Sequence, residues 1–248
     1  MCEECGCEPL APVSAHGHDH GDHHHDSGYH GHDHAADNLH MAEHNREHLR
    51  AHGVVAVNLV GSPGSGKTAL LEATARIGVR PSFAAITADL ATDLDARRLS
   101  AAGIPALGVV TGSAWHLDAG HVHHALHDLP LHDLDYLFLE NAGDLIAPAV
   151  HDLGQTLNVV VLSVTEGDDK PLKFPVTFRK ADLVVLTKMD LLPHLPEVRI
   201  DAIEAALARL MPHPALIPVS ARSGAGMERL IAWLEAQLPR TAPERTST

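Results

Sequence analysis

Beyond residue 53, the hydrophobic residues fall into short, unbroken runs rich in Val, Leu and Ile. We interpret these runs as strands, and they cover residues 54–60, 83–88, 106–110, 136–139, 159–164, 183–186 and 216–219. Unbroken rather than alternating apolar runs indicate strands that are buried on both faces, as in a parallel sheet. Between the runs, apolar residues recur at helical spacing, as in Ile200, Ile203, Leu207 and Leu210. The alternation predicts an α/β domain with a mostly parallel sheet flanked by helices.

The first 52 residues have a different character. They contain thirteen of the 22 histidines, interleaved with Gly and Asp, and few apolar side chains. Such a segment buries too little apolar surface to offset the entropy of ordering the chain, so we predict a disordered His-rich tail. Only residues 39–52 are predicted to form a short helix that leads into the globular part. The predicted organisation is a metal-binding tail over residues 1–52, a globular domain over 53–240 and a frayed end over 241–248.

Charge and hydropathy exclude several classes of function. The 248 residues include 18 basic and 32 acidic side chains, which gives a formal charge of −14 at pH 7. Nucleic-acid binding and electrostatic membrane binding both need a basic surface, so we expect neither. No apolar run approaches the ~18 residues of a transmembrane helix, and the acidic start MCEEC lacks the apolar core of a secretory signal. We therefore expect a cytoplasmic protein.

Residues 61–68 carry the phosphate-binding motif G-x-x-x-x-G-K-[ST]. The motif follows the first predicted strand and precedes a good helix start, which is the context that a P-loop requires. The glycines allow backbone N–H groups to surround the phosphates, and the helix adds its positive N-terminal end. Lys67 is predicted to reach the β- and γ-phosphates, and the Thr68 hydroxyl to bind Mg²⁺. The predicted nucleotide-binding residues of this loop are Gly61, Ser62, Gly64, Ser65, Gly66, Lys67 and Thr68.

A second loop, which carries Thr187, Lys188 and Asp190, is predicted to read the base. A carboxylate at Asp190 accepts two hydrogen bonds from guanine N1–H and the exocyclic amine, a donor pair that adenine lacks. The common guanine motif is Asn-Lys-x-Asp, and Thr187 departs from it, although its hydroxyl still braces the loop with fewer hydrogen bonds. After the last strand come Ser220 and Ala221, and we expect the Ala221 N–H to donate to guanine O6. The alternative is an ATP-dependent kinase or ATPase.

Two acidic residues, Asp89 and Glu140, directly follow predicted strands. Ligands of open α/β sheets bind at the carboxyl ends of the strands, so both residues are placed to hold Mg²⁺ directly or through water. Together with the P-loop lysine they are the predicted catalytic residues, and the alternative for both is a solvated helix cap. The N–H of Gly143 is predicted to sense the γ-phosphate. No obvious water-positioning group lies near these acids, so we expect slow hydrolysis, with Arg97 and Arg98 as candidates for a role in trans.

Three cysteines, Cys2, Cys5 and Cys7, place three thiolates within six residues. Thiolates so close in a flexible tail can converge on one ion, and their softness permits Zn²⁺, Cu⁺ or Ni²⁺. The alternative is a redox Cys-x-x-Cys pair. The neutral imidazoles of the tail also bind borderline metals, so we predict that the tail stores or buffers several ions. A purely solubilising tail is the alternative.

A second group of potential ligands lies on a predicted helix after residue 115. Its members are His116, Asp118, His121, His123, His124 and His127. His123 and His127 are four residues apart and share a helix face. The group is either a metal site or a solvated polar face.

Taken together, these motifs resemble those of the hydrogenase nickel-incorporation GTPases, the HypB family. The start MCEECGC resembles the family's N-terminal nickel motif, and NLVGSPGSGKTALLE resembles its P-loop. Its first and second switches are matched by DLATDLDARRL and ENAGDL, and its metal-site segment by TGSAWHLDA. SVTEGDDKPLKFP and TKMDLLP complete a resemblance that covers nearly all residues. The related urease-accessory GTPases fit less well because they lack the Cys-rich start.

The resemblance implies a SIMIBI-like P-loop NTPase fold and a GTP-dependent homodimer that hydrolyses GTP to GDP with Mg²⁺. It implies delivery of Ni²⁺ to the large subunit of a [NiFe]-hydrogenase precursor, or to urease in some members, with a small nickel and zinc chaperone as partner. It also implies that Lys170 and Lys173 lie near nucleotide bound across the dimer. The alternative function is nickel storage or sequestration, with a weak or vestigial GTPase.

The chain departs from the family pattern at one metal site. Family members often place Cys before the His of the HLDA segment and in a later Cys-Pro pair, where this chain has Trp115 and Ala147. Without these thiolates His116 is left as a weak interface site, unless neighbouring histidines rebuild it. We therefore expect nickel, with Zn²⁺ as a further candidate, to bind mainly in residues 1–52.

Overall fold

The computed structural model describes five stretches of the chain: residues 34–77, 82–89, 91–111, 116–146 and 151–239. Several sequence predictions fall outside them, namely those for residues 1–33 with Cys2, Cys5 and Cys7, for Trp115, for Ala147 and for residues 241–248. Within the described stretches, no helix is long and apolar enough to span a membrane.

Seven parallel strands form the centre of the described part of the chain. They are β1 (Val55–Val60), β2 (Phe83–Asp89), β3 (Ala106–Val110), β4 (Tyr136–Glu140), β5 (Leu157–Ser163), β6 (Leu183–Thr187) and β7 (Leu216–Pro218). Their order across the sheet is β3-β2-β4-β1-β5-β6-β7, with parallel pairing throughout. The predicted parallel α/β fold is confirmed. All six residues of β1 are buried, which accounts for the unbroken apolar run at this strand.

Helices of the described stretches cover both faces of this sheet. They are α1 (His34–Ala51), α2 (Lys67–Arg76), α3 (Leu94–Ala101), α4 (Ala119–Leu126), α5 (Lys170–Lys173), α6 (Pro175–Arg179), α7 (Ile200–Leu210) and α8 (Met227–Glu235). Short 3₁₀ segments cover Leu131–Asp133, Val164–Glu166 and Met189–His194.

Alternate residues of β1 pack against different helices. Val57 and Leu59 join a cluster that includes residues of α2 and α8, whereas Ala56 joins residues of α1 and α4. Val60 packs in a third cluster with residues of α7. Because both faces of this central strand are covered, the loop that follows its carboxyl end is held in the middle of the fold.

Helix α1 has 18 residues, so the end of the predicted tail is helical over a longer stretch than residues 39–52. Ala42 and Leu49 are buried against the domain. The buried Asn45 amide donates to the carbonyl oxygens of Ala119 at 2.8 Å and Leu153 at 3.2 Å. Hydrogen bonds of this kind hold α1 against the domain, and they cannot be predicted from the pattern of hydrophobic positions. The disorder predicted for the His-rich tail therefore does not extend to α1, although α1 is itself rich in histidine.

Candidate nucleotide site

The loop of residues 61–68 connects the carboxyl end of β1 to α2. Gly64 and Gly66 have φ angles of +71° and +101°, in the left-handed region that favours glycine. A Cβ on Gly61 would lie 2.5 Å from the carbonyl oxygen of Val161 on the neighbouring strand. The loop therefore curls tightly at the N-terminus of α2, where free N–H groups and the helix dipole favour an anion.

The side chain of Lys67 folds back over this loop. Its Nζ donates to the carbonyl oxygens of Gly61 at 3.0 Å and Ser62 at 3.4 Å. The residue is only 7% exposed, and burial lowers the pKa of its ammonium group. A buried cation is stabilised by anionic partners, and nearby phosphates would supply them.

Thr68 lies between two carboxylates. Its hydroxyl donates to Oε1 of Glu140 at 2.7 Å and lies 3.1 Å from Oδ1 of Asp95. Glu140 is 3% exposed, its Oε2 has no hydrogen-bond partner, and burial raises its pKa to about 7. A hydroxyl and two carboxylates, one with a spare buried oxygen, make the oxygen donor set that Mg²⁺ prefers. These residues therefore fit a magnesium ion.

The two aspartates near this group take different positions. Asp89 ends β2 and lines the same cavity as Thr68, and it accepts a hydrogen bond from the Thr92 hydroxyl. Asp95, in the first turn of α3, contacts Thr68 instead. The strand-end rule predicts Asp89 but gives no indication of Asp95. The only signal for Asp95 was the cluster of three aspartates in DLATDLDARRL, which gives no reason to prefer the third.

The arginine candidates for a role in trans are both engaged within this chain. Arg98 pairs with Glu72 at 3.0 Å and lies 3.4 Å from Asp95. Arg97 pairs with Asp93 at 2.8 Å. Since Arg98 also lines the cavity, it is the nearer of the two to the phosphate-binding loop.

The segment after β4 rests directly on the P-loop. Gly61 and Asp144 form an antiparallel bridge. A Cβ on Gly143 would lie 2.6 Å from the backbone N and 2.7 Å from the Cα of Pro63. The close contact therefore depends on glycine at position 143, where the sequence predicts an N–H that senses the γ-phosphate.

We expect Gly143→Ala to push this segment away from the P-loop, because backbone atoms of Pro63 cannot move aside cheaply. Affinity for a non-hydrolysable GTP analogue should fall by about tenfold or more, roughly 1.4 kcal/mol, while affinity for GDP stays within about twofold. Isothermal titration calorimetry with both nucleotides measures the difference. Gly120→Ala is the matched control, since its Cβ would meet only Oδ1 of Asp118 at 3.3 Å. Equal losses for the two nucleotides would contradict γ-phosphate sensing.

The loop after β6, which the sequence predicts to read the base, is attached to the P-loop by two side chains. The Thr187 hydroxyl donates to the carbonyl oxygen of Ser65 at 2.6 Å and lies 3.3 Å from that of Leu162. Lys188 has a φ of +59°, and its Nζ donates to the carbonyl oxygen of Gly64 at 2.6 Å. A hydroxyl at 187 thus braces the two loops together.

Asp190 is oriented by the loop that follows β7. Its Oδ1 accepts a 2.7 Å hydrogen bond from the Ser220 hydroxyl, which holds the pKa of the carboxyl group below its ordinary value. The Ser220 oxygen in turn accepts from the N–H of Ser223 at 3.2 Å. The carbonyl oxygen of Ala221 accepts from Arg76 at 2.9 Å, which ties this loop to the end of α2. Asp190 is therefore ionised and fixed, as an acceptor of two N–H groups must be.

Replacing Thr187 by Val removes the brace while keeping the shape of the side chain. The carbonyl oxygens of Ser65 and Leu162 then lose their hydroxyl partner in a buried position, so the free energy of unfolding should fall by about 1–3 kcal/mol. Urea denaturation monitored by circular dichroism measures this loss. Thr187→Ser keeps the hydroxyl and should retain most of the stability. If Val and Ser destabilise equally, the hydroxyl is not the brace.

A cavity of about 960 Å³ joins these groups at the carboxyl end of the sheet. It is lined by Pro63, Gly64, Gly66, Lys67, Thr68, Ala69, Ala88, Asp89, Asp95, Arg98, Glu140, Asn141, Ala142, Gly143, Asp144 and Lys188. Its volume is in the range of small-molecule and cofactor sites. Because the Lys67 ammonium group and the carboxylates of Asp89, Asp95 and Glu140 line it together, the cavity suits a phosphorylated ligand that carries a divalent metal.

His116 lies in a second, smaller cavity of about 420 Å³, which also contains His151. The two imidazole rings stack with centroids 4.0 Å apart, and burial together with His151 lowers the pKa of His116. In the described stretches, no three His, Cys, Asp or Glu side chains are arranged to hold a metal ion. The sequence analysis missed His151 because 35 residues separate it from His116, and only the fold brings the two together.

The buried side-chain amide of Asn141 connects residues near the P-loop cavity to residues near the cavity of His116. Asn141 donates to Oδ1 of Asn58 on β1 at 2.7 Å, and its own Oδ1 accepts from the N–H of Leu117 at 3.1 Å. Asn141 follows Glu140, and Leu117 follows His116. One side chain therefore joins the end of β4 that carries Glu140 to the loop that carries His116.

Several known proteins resemble this chain over most of its length. Residues 55–217 match the family model described as CobW/HypB/UreG, nucleotide-binding domain. Hydrogenase maturation factor HypB of Azotobacter vinelandii is 48% identical over 197 residues, which are 79% of this chain and 65% of that protein. HypB of Escherichia coli K12 is 45% identical over 201 residues, 81% of this chain and 69% of that protein. The chain thus spans about two thirds of the length of these relatives.

Two solved structures share the fold over almost their whole length. The crystal structure of hydrogenase maturation factor HypB from Archaeoglobus fulgidus has a TM-score of 0.75 and 40% identity, covering 82% of this chain and 100% of that one. That of HypB from Helicobacter pylori in complex with nickel has a TM-score of 0.76 and 32% identity, covering 83% and 99%.

Proposed function

Because this chain belongs to the HypB family of hydrogenase maturation factors, we propose that it is a GTPase that delivers Ni²⁺ to the large subunit of a [NiFe]-hydrogenase precursor. The observation that carries the proposal is the position of Asp190. Its ionised carboxylate is fixed by Ser220, and Thr187 and Lys188 attach its loop to the P-loop. Base recognition and phosphate binding thus belong to one unit, as a guanine-nucleotide switch requires.

The residues of the cavity have separate roles in the proposed phosphoryl transfer. Lys67 would bind the β- and γ-phosphates, and Thr68, Asp95 and Glu140 would hold Mg²⁺, with Asp89 lining the same cavity. Mg²⁺, when bound, neutralises negative charge on the phosphates. No side chain of the described cavity is an evident orienting group for water, so hydrolysis by the isolated chain is slow. Arg98 can act across a dimer only after its contacts with Glu72 are broken.

We infer that GTP favours a homodimer, and two features of one surface support this. Lys170 and Lys173 lie on α5, where they pair with Glu166 at 3.4 Å and Asp169 at 2.5 Å. The apolar Leu172 beside them is 54% exposed. Exposed apolar side chains rimmed by charge are typical of protein interfaces. A difference in dimer affinity between the GTP and GDP states would then bias the release of nickel to a small nickel and zinc chaperone and to the hydrogenase precursor.

For nickel itself we propose the three cysteines as the tightest ligands. Changing Cys2, Cys5 and Cys7 to Ser in the full chain should remove the tightest site, about one Ni²⁺ per chain, because hydroxyls are poor ligands for this ion. Competition with a chromophoric chelator measures both affinity and number. Replacement of Glu3, Glu4 and Glu8 by Gln controls for changes in the same segment that leave the thiols intact. Unchanged tight binding in the Ser variant would overturn the assignment.

Nickel storage is the second candidate function, and the thirteen histidines of the first 52 residues favour it. Storage needs no turnover of nucleotide, so a steady-state GTPase assay separates the two. Binding of several Ni²⁺ ions without any GTP hydrolysis would support storage and reject the delivery switch.

A further inference from the structure

Histidines recur at every fourth position along α1, at His40, His44 and His48, and His52 follows just past its end. Residues four apart lie on one face of an α-helix. Helix α4 packs against α1, and the rings of His123, within α4, and His127, at its end, contact those of α1. The sequence groups His123 and His127 with His116, but the fold joins them to α1.

Four of these rings form a closed arrangement, which we call the imidazole quartet: His44, His48, His123 and His127. The centroid of His123 lies 5.0 Å from those of both His44 and His127. His48 completes the arrangement, with its ring centroid 6.3 Å from that of His127 and 6.4 Å from that of His44. Two imidazoles on one four-coordinate ion have centroids about 4.5–5 Å apart, given metal–nitrogen distances of roughly 2.0–2.1 Å. Two sides of the quartet already match, and the other two need a movement of little more than 1 Å by this geometry.

Two ring nitrogens of the quartet have no partner. Nδ1 of His48 and Nδ1 of His123 are buried and make no hydrogen bond. Leaving a buried polar atom without a partner is unfavourable, so such atoms call for an explanation. Burial and the neighbouring rings lower the pKa of both residues, that of His123 to about 4. At neutral pH both are uncharged, which is the form that ligates metals.

We propose that the imidazole quartet binds one borderline divalent transition ion between α1 and α4. Imidazole nitrogens select ions such as Ni²⁺, Cu²⁺ and Zn²⁺ over Mg²⁺, which prefers oxygen. In the described residues no three donor atoms yet meet at one point, so the ion draws the rings inward as it binds. The proposed ligands include none of the cysteines and not His116, and the site goes beyond GTP-dependent delivery.

Binding at the quartet has a mechanical consequence, because its ligands come from two helices. Helix α1 joins the His-rich segment to the domain, and it is held there by Asn45 and by a bidentate pair between Arg46 and Asp152 at 2.8–2.9 Å. An ion that binds only when α1 is docked stabilises that state by the factor 1 + [ion]/Kd. The quartet therefore makes docking of α1 depend on the metal.

Hydrogen exchange of the full chain tests this, with Ni²⁺ alone as the probe. At a free Ni²⁺ concentration ten times the dissociation constant, amide protection in α1 should rise by about tenfold, and Mg²⁺ should have no effect. His48→Gln combined with His123→Gln should abolish the rise. His194→Gln with His213→Gln, two exposed histidines outside the quartet, is the matched control and should preserve it.

No gain of protection in the wild type, or an equal gain in both double variants, would overturn the proposal. Should the quartet variant leave α1 undocked even without metal, anomalous diffraction from wild-type crystals soaked in Ni²⁺ decides. A peak among the four rings supports the site, and peaks found only elsewhere reject it. Neither readout uses nucleotide, so failure here is distinct from failure of the GTPase proposal.

Discussion

Lys67→Met is expected to lower kcat for GTP hydrolysis by about 10²–10³-fold, the loss found when one preorganised charge-stabilising donor is removed. The ammonium group already lies at the mouth of the P-loop, held by the carbonyl oxygens of Gly61 and Ser62. It therefore needs little reorganisation to neutralise charge that develops on the phosphates. Methionine keeps the length of the side chain but supplies no charge.

Steady-state hydrolysis with direct detection of phosphate separates kcat from KM in this experiment. Lys180→Met, at an exposed position away from the cavity, removes the same charge and should leave both constants unchanged within about twofold. A Lys67→Met chain that keeps more than about a tenth of wild-type kcat would show that the lysine does not act in transition-state stabilisation.

Asp190→Asn should weaken GTP binding by about 10²–10³-fold. The carboxylate is expected to accept two charge-assisted hydrogen bonds from guanine, and their loss corresponds to about 3–4 kcal/mol. Asparagine also points an N–H₂ group at a base that itself donates. Fluorescence titration with a labelled GTP analogue measures the change, and ATP serves as the comparison nucleotide.

The base chemistry provides an internal control for this variant. Xanthine carries a carbonyl where guanine has the exocyclic amine, so the asparagine amide can donate to it. Binding of XTP should therefore improve in Asp190→Asn while binding of GTP falls. If GTP and ATP lose affinity equally, and XTP gains nothing, Asp190 does not read the base and the nucleotide assignment is wrong.

Local motifs made the sheet and the P-loop predictable from sequence. Each buried strand is an unbroken apolar run, because both of its faces are covered, and the glycine spacing of residues 61–68 is fixed by the curl of a single loop. The bracing role of Thr187 was likewise predictable from sequence, because a hydroxyl at the end of a strand has few other hydrogen-bond partners within reach. In all these cases the chemistry is confined to a few neighbouring residues.

Contacts across helices were not predictable from the same patterns. Asp95 reaches Thr68 only because α3 packs beside α2, and nothing in its immediate neighbours distinguishes it from Asp93. His151 meets His116 through the path of the chain around the sheet. Helix α1 was predicted only in part, since its docking depends on Asn45 and Arg46 rather than on a broad apolar stripe. Polar residues that act through tertiary contacts have no periodic signature.

Asn141 links the loop after β4 to the loop that carries His116, so a ligand that moves one of these loops would also move the other. A shift of the strand end as the terminal phosphate departs would pull on the backbone next to His116 through one amide. Thermodynamic reciprocity then requires that occupancy near His116 change nucleotide affinity by the same factor. The Asn141 contacts involve neither Trp115 nor Ala147, so this connection does not depend on the thiolates that the family pattern places at those two positions.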